Sequence, residues 1–167
     1  MIDAHPDTFV LTVSHTTRQP RAGEVEAETY FYVSPSTFTT LISQGGFVEH
    51  AFFNGNYYGT SRQTIADQTA KGLAIILEVD MEGVKQIKTD PTFDARYVFV
   101  KPPSFEALEA RLSSRGTENE ESIRKRLDQA KIELQYAETA GAYDMILVND
   151  ELERSQEQLR EFVYRSP

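Results

Sequence analysis

The feature that most constrains the fold is an alternation of apolar, strand-like runs with helical segments over the second half of the chain. Runs rich in β-forming residues lie at 73–79, 96–100 and 143–148, and segments with helical spacing separate them and follow the last one. This order is typical of a parallel sheet with helices packed on its faces. The sequence therefore predicts an α/β fold for this region.

Several residues mark where the helices of this region begin and end. Ser104 is placed to cap a helix that Gly116 terminates. Thr117 and Glu120 have the spacing of a capping box, so a second helix is predicted to follow at once. Asp150 is expected to cap the final helix. These signals place two consecutive helices between the second and third strands.

Residues 30–60 follow a different pattern. They hold short strand-like runs, a helix that begins at Ser34-Pro35 and ends at Gly45-Gly46, and a tight turn at Asn54-Gly55. An Asn-Gly turn of this kind favours antiparallel pairing of the flanking strands. We interpret the region as a small mixed α+β insert on the α/β core.

Composition and charge limit the classes of function. The formal charge of −9, from 17 basic and 26 acidic side chains, argues against binding nucleic acid or an anionic membrane through bulk electrostatics. The lack of cysteine excludes disulfides and thiolate chemistry, and it favours a cytoplasmic location. The longest apolar run, 73–77, is far shorter than the roughly 18 residues of a membrane span. His5, His15 and His50 lack the spacing of a metal or catalytic set and are expected on the surface or in loops.

Two acidic residues lie at the end of the run 73–79. Glu78 belongs to the run and Asp80 follows it, so a buried parallel strand would carry both to the sheet edge where α/β folds bind ligands. An apolar strand that ends in an acid accompanies nucleotide–Mg²⁺ sites. Such an acid is about as often simply solvated, and both interpretations stay open.

A basic loop follows the apolar, strand-like run 9–13. It places Arg18 and Arg21 three residues apart in a segment stiffened by proline and glycine. Two planar guanidinium groups at this spacing suit a phosphate dianion. The alternative is a salt bridge within the loop, with Glu24 as the partner.

The segment around the Asn-Gly turn carries groups that match guanine. Guanine presents two donors, N1–H and the N2 amino group, beside the O6 acceptor. A carboxylate such as Glu49 matches the donors, and a hydroxyl such as Thr60 or Ser14 matches O6. The alternative is that Glu49 is a solvated residue of an edge strand.

Three arginines lie on the two consecutive helices. Arg111 and Arg115 are four residues apart on one helix face, and Arg126 lies on the next helix. Two helices that meet at Gly116 could fold these side chains over an anion. An ordinary exposed basic face is the alternative.

Six segments together, in this order, point to a known family. They are 14–24, Glu49 with Asn56-Tyr57-Tyr58-Gly59, 78–83, Pro102-Pro103-Ser104, Arg115-Gly116-Thr117 and Val148-Asn149-Asp150. From about Pro6 to its end the chain resembles guanylate kinases, and it is most similar to the short eukaryotic type. The resemblance implies a P-loop-kinase-like parallel sheet flanked by helices, with a small GMP-binding insert.

The resemblance also implies a reaction, the ATP-dependent phosphorylation of GMP to GDP in purine nucleotide metabolism, with Mg²⁺ accompanying ATP. It assigns the GMP phosphate to Arg18, Arg21, Tyr30 and Tyr58, the guanine base to Ser14, Glu49 and Thr60, and support of that site to Glu24 and Asp80. It assigns catalysis to Arg18, Arg111, Arg115 and Arg126, ATP to Arg111, Arg115 and Asn149, and a water-mediated contact with the metal to Glu78.

The chain departs from the family at one place. Guanylate kinases have a first strand and a P-loop that ends in Gly-Lys-Ser or Gly-Lys-Thr, and no G-x-x-x-x-G-K-[ST] pattern occurs among these 167 residues. We therefore expect an N-terminally truncated chain without the first central strand and the P-loop. We expect partial GMP recognition and negligible kinase activity from it, because phosphoryl transfer depends on positioning and charge stabilisation.

We expect one guanylate-kinase-like domain over residues 1–167. Its core and lid are predicted at about 14–29 and 73–167, and its GMP-binding insert at about 30–60. The expected partners are GMP and ATP, without nucleic acid or membrane, and the chain is expected to be a monomer. The alternative is a non-catalytic guanylate-kinase-like module that binds GMP or a phosphorylated peptide.

Overall fold

The computed structural model of the chain describes residue 2 and residues 5–114 and 120–165. The chain divides into two compact units, Met1–Asp94 and Ala95–Pro167. The strands of the described residues are β1 (Phe9–Leu11), β2 (Ser14–Thr16), β3 (Tyr30–Tyr32), β4 (Phe47–Phe53), β5 (Asn56–Ser61), β6 (Ala74–Ile76), β7 (Val98–Lys101) and β8 (Met145–Val148). The helices are α1 (Pro35–Ser43), α2 (Arg62–Thr69), α3 (Met81–Lys88), α4 (Phe105–Ser114), α5 (Glu120–Ala137) and α6 (Leu152–Tyr164).

The first unit contains a parallel pair of strands, β1 and β6, with Phe9 opposite Ala74. The parallel pairing is as predicted, but the predicted strand 73–79 is wrong in length and in burial. Only Ala74–Ile76 is a strand, and Ala74 is exposed. The register with β1 ends at Ile76, which is opposite Leu11, and α3 begins after its cap residue Asp80.

A mixed four-stranded sheet holds the predicted insert, and its strand order is β3-β2-β5-β4. β4 and β5 form the predicted antiparallel hairpin, whose turn residues Asn54 and Gly55 have φ angles of 49° and 81°. Positive φ at both positions is the geometry that makes Asn-Gly favourable in such turns. The sheet also contains β2, which is parallel to β3 and antiparallel to β5.

Two helices flank this hairpin in sequence. α1 begins as predicted, because the Ser34 hydroxyl accepts the Thr37 N–H and Pro35 occupies the first turn. α2 was not predicted. It begins after Ser61, whose hydroxyl accepts the Thr64 N–H, but it buries no residue and so carries no apolar stripe that sequence periodicity could detect.

The core beside the four-stranded sheet is aromatic. Phe38 of α1 is fully buried and stacks on Phe47 and Tyr57, with ring centroids 4.4 and 5.2 Å away. The prediction that His15 and His50 lie in loops or on the surface is wrong, since both belong to strands and are half-buried. His15 packs against Phe47 with a centroid distance of 5.6 Å.

The second unit pairs β7 and β8 in parallel, with Val98 opposite Met145, as the strand–helix–strand order predicts. Ser104 caps α4 as expected, and its hydroxyl accepts the Ala107 N–H at 3.1 Å. The predicted signals at Gly116 and Thr117 lie outside the described residues.

The predicted cap of α6 is wrong. The N-cap residue is Glu151, and its side chain makes no capping hydrogen bond. Asp150 lies one residue earlier, and its carboxylate accepts the Glu151 N–H at 2.6 Å and pairs with Arg154. Across the described ranges, no helix combines the length and apolar character that a membrane crossing requires.

Candidate functional site

The predicted guanine residues lie in one row across the four-stranded sheet of the first unit. Tyr30 is opposite Ser14, and Thr60 is opposite Glu49. The Ser14 and Thr60 hydroxyl oxygens are 3.2 Å apart, which links the two pairs into a continuous row. Because cross-strand neighbours project from the same face of a sheet, the four side chains share one surface.

Glu49 is a buried acid within this row. Its exposed fraction is 9%, and that of Thr60 is 1%. Burial raises the pKa of the Glu49 carboxyl, while hydrogen bonds from the Thr60 hydroxyl and backbone act in the opposite direction. The alternative that Glu49 is a solvated residue of an edge strand is therefore wrong. The β-bulge between Phe47 and Glu49 accompanies this inward orientation.

Asp80 lies next to Glu49 at the start of α3. Its Oδ1 accepts the Gly83 N–H at 2.8 Å and caps the helix. A Cβ atom on Gly83 would stand 3.1 Å from Val79 Cβ, and at the ordinary contact distances of 3.4 Å from Glu49 Oε2 and 3.5 Å from Asp80 Oδ1, so the glycine lies beside both carboxylates. The Asp80 charge adds to the effect of burial on the Glu49 pKa. Sequence reasoning did not assign Gly83 a role, because only the tertiary structure shows this proximity.

The predicted phosphate residues form a second cluster beyond the end of β2. Two nitrogens of Arg18 donate to the two oxygens of Glu24, each at 2.9 Å. The Arg21 N–H donates to Glu24 Oε2 at 2.7 Å. These bonds hold the pKa of Glu24 down at about 2, with the Arg18 hydrogen bond as the largest cause. The salt bridge weighed from the sequence is thus present, and it fixes the guanidinium in place.

Aromatic rings surround the Arg18 guanidinium. Its central carbon lies 5.4 Å from the centre of the Tyr30 ring and 5.9 Å from that of Tyr32. Tyr58 meets Tyr30 edge to face, with centroids 6.1 Å apart. The Tyr32 hydroxyl donates to Glu24 Oε2 at 2.8 Å. Sequence reasoning missed Tyr32, and its alternation with Tyr30 along one strand was the only available signal.

Two of the residues predicted to bind ATP, Arg111 and Asn149, are in contact in the second unit. An Arg111 nitrogen donates to the Asn149 carbonyl at 3.0 Å. Both residues line a cavity of about 210 Å³, together with Lys101, Pro102 and Leu108. Arg126 is exposed on α5, whereas Arg115 lies outside the described residues.

Glu78, the residue predicted to contact the metal, does not belong to a cluster of metal-ligating side chains among the described residues. Glu78 is exposed and lies in the segment between β6 and α3. Within the described part of the chain, no three His, Cys, Asp or Glu side chains converge as metal ligands. The described residues therefore do not fit a resident Mg²⁺ held by protein side chains alone.

Comparisons with known proteins agree with one another. The family model described as guanylate kinase matches residues 1–166. The chain is 45% identical over 159 residues to a guanylate kinase of Schizosaccharomyces pombe, which covers 95% of this chain and 78% of that protein. It is 41% identical over 162 residues to a guanylate kinase of Sus scrofa, covering 96% and 81%. A crystal structure of guanylate kinase from Anaplasma phagocytophilum matches with a TM-score of 0.73 at 29% identity, covering 96% and 77%.

Proposed function

Because this chain belongs to the guanylate kinase family, we propose that its first unit binds GMP and that the protein phosphorylates GMP to GDP with ATP. One observation carries the proposal, namely the row of Tyr30, Ser14, Thr60 and Glu49 across the four-stranded sheet. It unites hydroxyl groups, a buried carboxylate and a phenol on one surface, beside a fixed arginine.

Guanine recognition rests on the donors and acceptors of this row. In its ionised form Glu49 accepts the N1–H and N2–H bonds of guanine, and a hydroxyl of Ser14 or Thr60 donates to O6. Adenine presents an acceptor at N1, so it would leave the buried Glu49 carboxylate without the donors of guanine, although a hydroxyl could accept from its 6-amino group. Unpaired buried polar groups are costly, and the site therefore favours guanine over adenine.

Phosphate binding rests on the cluster around Arg18. Glu24 presents the guanidinium of Arg18 in one orientation, so little side-chain freedom is lost when an anion binds. The phenols of Tyr30 and Tyr58 and the guanidinium of Arg21 supply further donors for the phosphate oxygens. Asp80 supports the base side through its position beside Glu49.

The proposed reaction is an in-line transfer with no covalent enzyme intermediate. An oxygen of the GMP phosphate forms a bond to the γ-phosphorus of ATP, and the bond between that phosphorus and the β,γ-bridging oxygen breaks, which releases ADP and GDP. Arg18 orients the acceptor phosphate. Arg111, Arg115 and Arg126 neutralise the negative charge of the ATP phosphates and of the transferring group, and Asn149 contacts the adenine side. Glu78 contacts the Mg²⁺ of MgATP through water.

The 167 residues contain no G-x-x-x-x-G-K-[ST] pattern, and this affects the two halves of the function differently. GMP binding uses residues that are present, so it is expected from these residues by themselves. Efficient transfer also needs backbone amides and a lysine around the ATP phosphates, so we expect slow transfer from these residues by themselves.

Calorimetric titration with GMP, with AMP as the control nucleotide, tests the proposal on the 167-residue chain. Saturable heat with GMP and none with AMP is the expected result. A chain that unfolds cooperatively but gives no heat with GMP contradicts the proposal. Tighter binding of a phosphoserine peptide than of GMP would instead support the non-catalytic module. ADP release with MgATP and GMP is measured in parallel, and a rapid rate would contradict only the expectation about transfer.

A further inference from the structure

We propose that Tyr32 is a positioning residue for GMP, which holds Glu24 so that Glu24 presents Arg18 to the phosphate. This inference rests on the proposed function and adds to it a residue that the sequence did not single out. Tyr32 is not itself assigned a contact with GMP. Its role is to fix the orientation of a group that makes one.

The hydrogen bonds that the Glu24 carboxylate accepts support this positioning role. Oε2 accepts three hydrogen bonds, from the Tyr32 hydroxyl at 2.8 Å, from an Arg18 nitrogen at 2.9 Å and from the Arg21 N–H at 2.7 Å. Oε1 accepts the second Arg18 nitrogen at 2.9 Å. Among the hydrogen bonds described for this carboxylate, the one from the Tyr32 hydroxyl is the only one that comes from outside residues 18–24. The three remaining bonds to the carboxylate all come from Arg18 and Arg21 of the same loop, so they orient Glu24 and Arg18 relative to each other but do not tie the pair to the sheet.

The backbone holds Tyr32 in a position to do this. Tyr32 lies in β3, opposite Thr16 of β2, and its N–H donates to Glu26 at 3.1 Å. Its ring lies 6.0 Å from that of Tyr30 and 5.9 Å from the Arg18 guanidinium. The Tyr32 hydroxyl therefore belongs to a residue of a paired strand. Glu24, in contrast, lies in a loop and depends on its hydrogen-bond partners for its orientation.

The protonation states suit this role over the neutral range. Partial desolvation, followed by the bond to Glu24, raises the pKa of the Tyr32 hydroxyl, which stays a donor. The pKa of Glu24 is held at about 2, so it stays an ionised acceptor. A bond from a neutral hydroxyl to an ionised carboxylate is stronger than one between neutral groups.

The test compares GMP with guanosine, which lacks the phosphate. Tyr32→Phe removes the hydroxyl and keeps the ring. It is expected to weaken GMP binding by about three- to tenfold and to leave guanosine binding unchanged. Tyr164→Phe is the matched control, because it makes the same chemical change at an exposed position of the second unit. Equal GMP affinity of Tyr32→Phe and the unmodified chain, or an equal loss for guanosine, would overturn the inference.

A double variant tests whether Tyr32 acts through Glu24. In a Glu24→Ala background, Tyr32→Phe should cause little further loss of GMP affinity, because the carboxylate that it orients is gone. The same loss in both backgrounds would show that Tyr32 contacts the phosphate directly, and the positioning role would be wrong.

A ligand-free measurement separates failure of this inference from failure of the proposed function. By NMR, the rotation of the Arg18 guanidinium about its Nε–Cζ bond is followed at the Nε–H signal, assigned by its loss in Arg18→Lys. Faster rotation in Tyr32→Phe supports the positioning role even if the unmodified chain binds no GMP, which contradicts only the proposed function. Unchanged rotation in a chain that binds GMP contradicts only the inference.

Discussion

At the scale of single residues, burial shifts the pKa of two ionisable groups of the first unit. The two shifts make the stability depend on pH in opposite directions. The pKa of Glu49 is raised, chiefly by burial. The pKa of His15 is lowered, also chiefly by burial, while the Glu26 charge acts the other way. In both cases burial favours the neutral form. The stability contribution of Glu49 is therefore lost as the pH rises, and that of His15 is lost as the pH falls.

Replacing Glu49 by Gln separates stability from binding. The native state binds the Glu49 proton more tightly than the unfolded state does, so this contribution is complete below the unfolded pKa and is lost as the pH rises through the folded pKa. Glu49→Gln has no ionisable group at this position, so it avoids this loss of stability at higher pH. Urea unfolding should therefore show a smaller decrease in stability from pH 4 to pH 8 than in the unmodified chain.

Calorimetry on the same variant should show GMP affinity lower by about 100-fold or more, because a neutral amide cannot accept both guanine donors. Glu28→Gln, at an exposed loop position, is the control and should change neither property. Unchanged GMP affinity in Glu49→Gln would contradict the assignment of Glu49 to guanine.

Replacing His15 by Phe tests the second group. His15 Nδ1 is a buried nitrogen without a hydrogen-bond partner among the described atoms, and its ring lies 4.7 Å from that of Phe31. Its folded pKa is lowered, so its contribution is complete above the unfolded pKa near 6.5 and is lost as the pH falls below it. His15→Phe should lose less stability than the unmodified chain between pH 8 and pH 5 in urea unfolding. Parallel stability curves would refute this.

At the scale of elements, the Gln86 side chain of α3 is hydrogen-bonded to the backbone of the edge strand β4. The Gln86 amide donates to the His50 carbonyl at 2.9 Å, and its oxygen accepts the His50 N–H at 3.0 Å. The side chain thus takes the place of a neighbouring strand at this position. Since α3 carries Asp80 and Gly83, this bond pair joins the helix to the strand of Glu49.

Gln86→Leu is expected to destabilise the first unit by about 1–3 kcal/mol, because it leaves two backbone groups of β4 without their partner. Hydrogen exchange at the His50 amide should become faster. Gln63→Leu is the matched control on α2, where the side chain bonds only to the exposed Asp67. If both variants have equal stability and equal His50 exchange, the role of Gln86 is wrong.

At the scale of the whole molecule, the candidate sites are distributed over two units. The residues proposed to bind GMP belong to Met1–Asp94, whereas Arg111, Arg126 and Asn149, which are proposed to act on ATP, belong to Ala95–Pro167. The charge of −9 means that the anion-binding groups are local exceptions on an acidic chain. We therefore expect GMP binding to slow hydrogen exchange in the first unit.

Hydrogen exchange with and without saturating GMP checks this expectation. At 100 times the dissociation constant, a ligand stabilises the state that binds it by about 2.7 kcal/mol. Exchange in β2, β4 and β5 should slow with GMP and stay unchanged with AMP. Protection by GMP that appears only in peptides of the second unit would place the base elsewhere.

Much of the fold can be derived from local patterns in the sequence. The Asn54-Gly55 hairpin, the Ser34 cap and the β7–β8 pairing were predictable, because turn chemistry, capping and apolar periodicity act over a few residues. Local patterns failed for the extent of the strand around Ile76 and for α2. In the first case the strand extends only as far as its pairing with the distant strand β1, and in the second the helix buries no residue.

The sequence by itself determined the candidate groups for guanine and phosphate, because the types and order of the residues in each motif are read directly from it. Only the tertiary structure decided that Glu49 is buried in one row with Thr60 and Ser14, that Gly83 lies beside the carboxylates of Glu49 and Asp80, and that Tyr32 reaches Glu24. These properties depend on strand register and on contacts between distant segments. A single-residue change of register would reverse which side chains face the site. The turn specifies the register of β4 on β5, but local sequence does not specify how β2 pairs with β3 and β5.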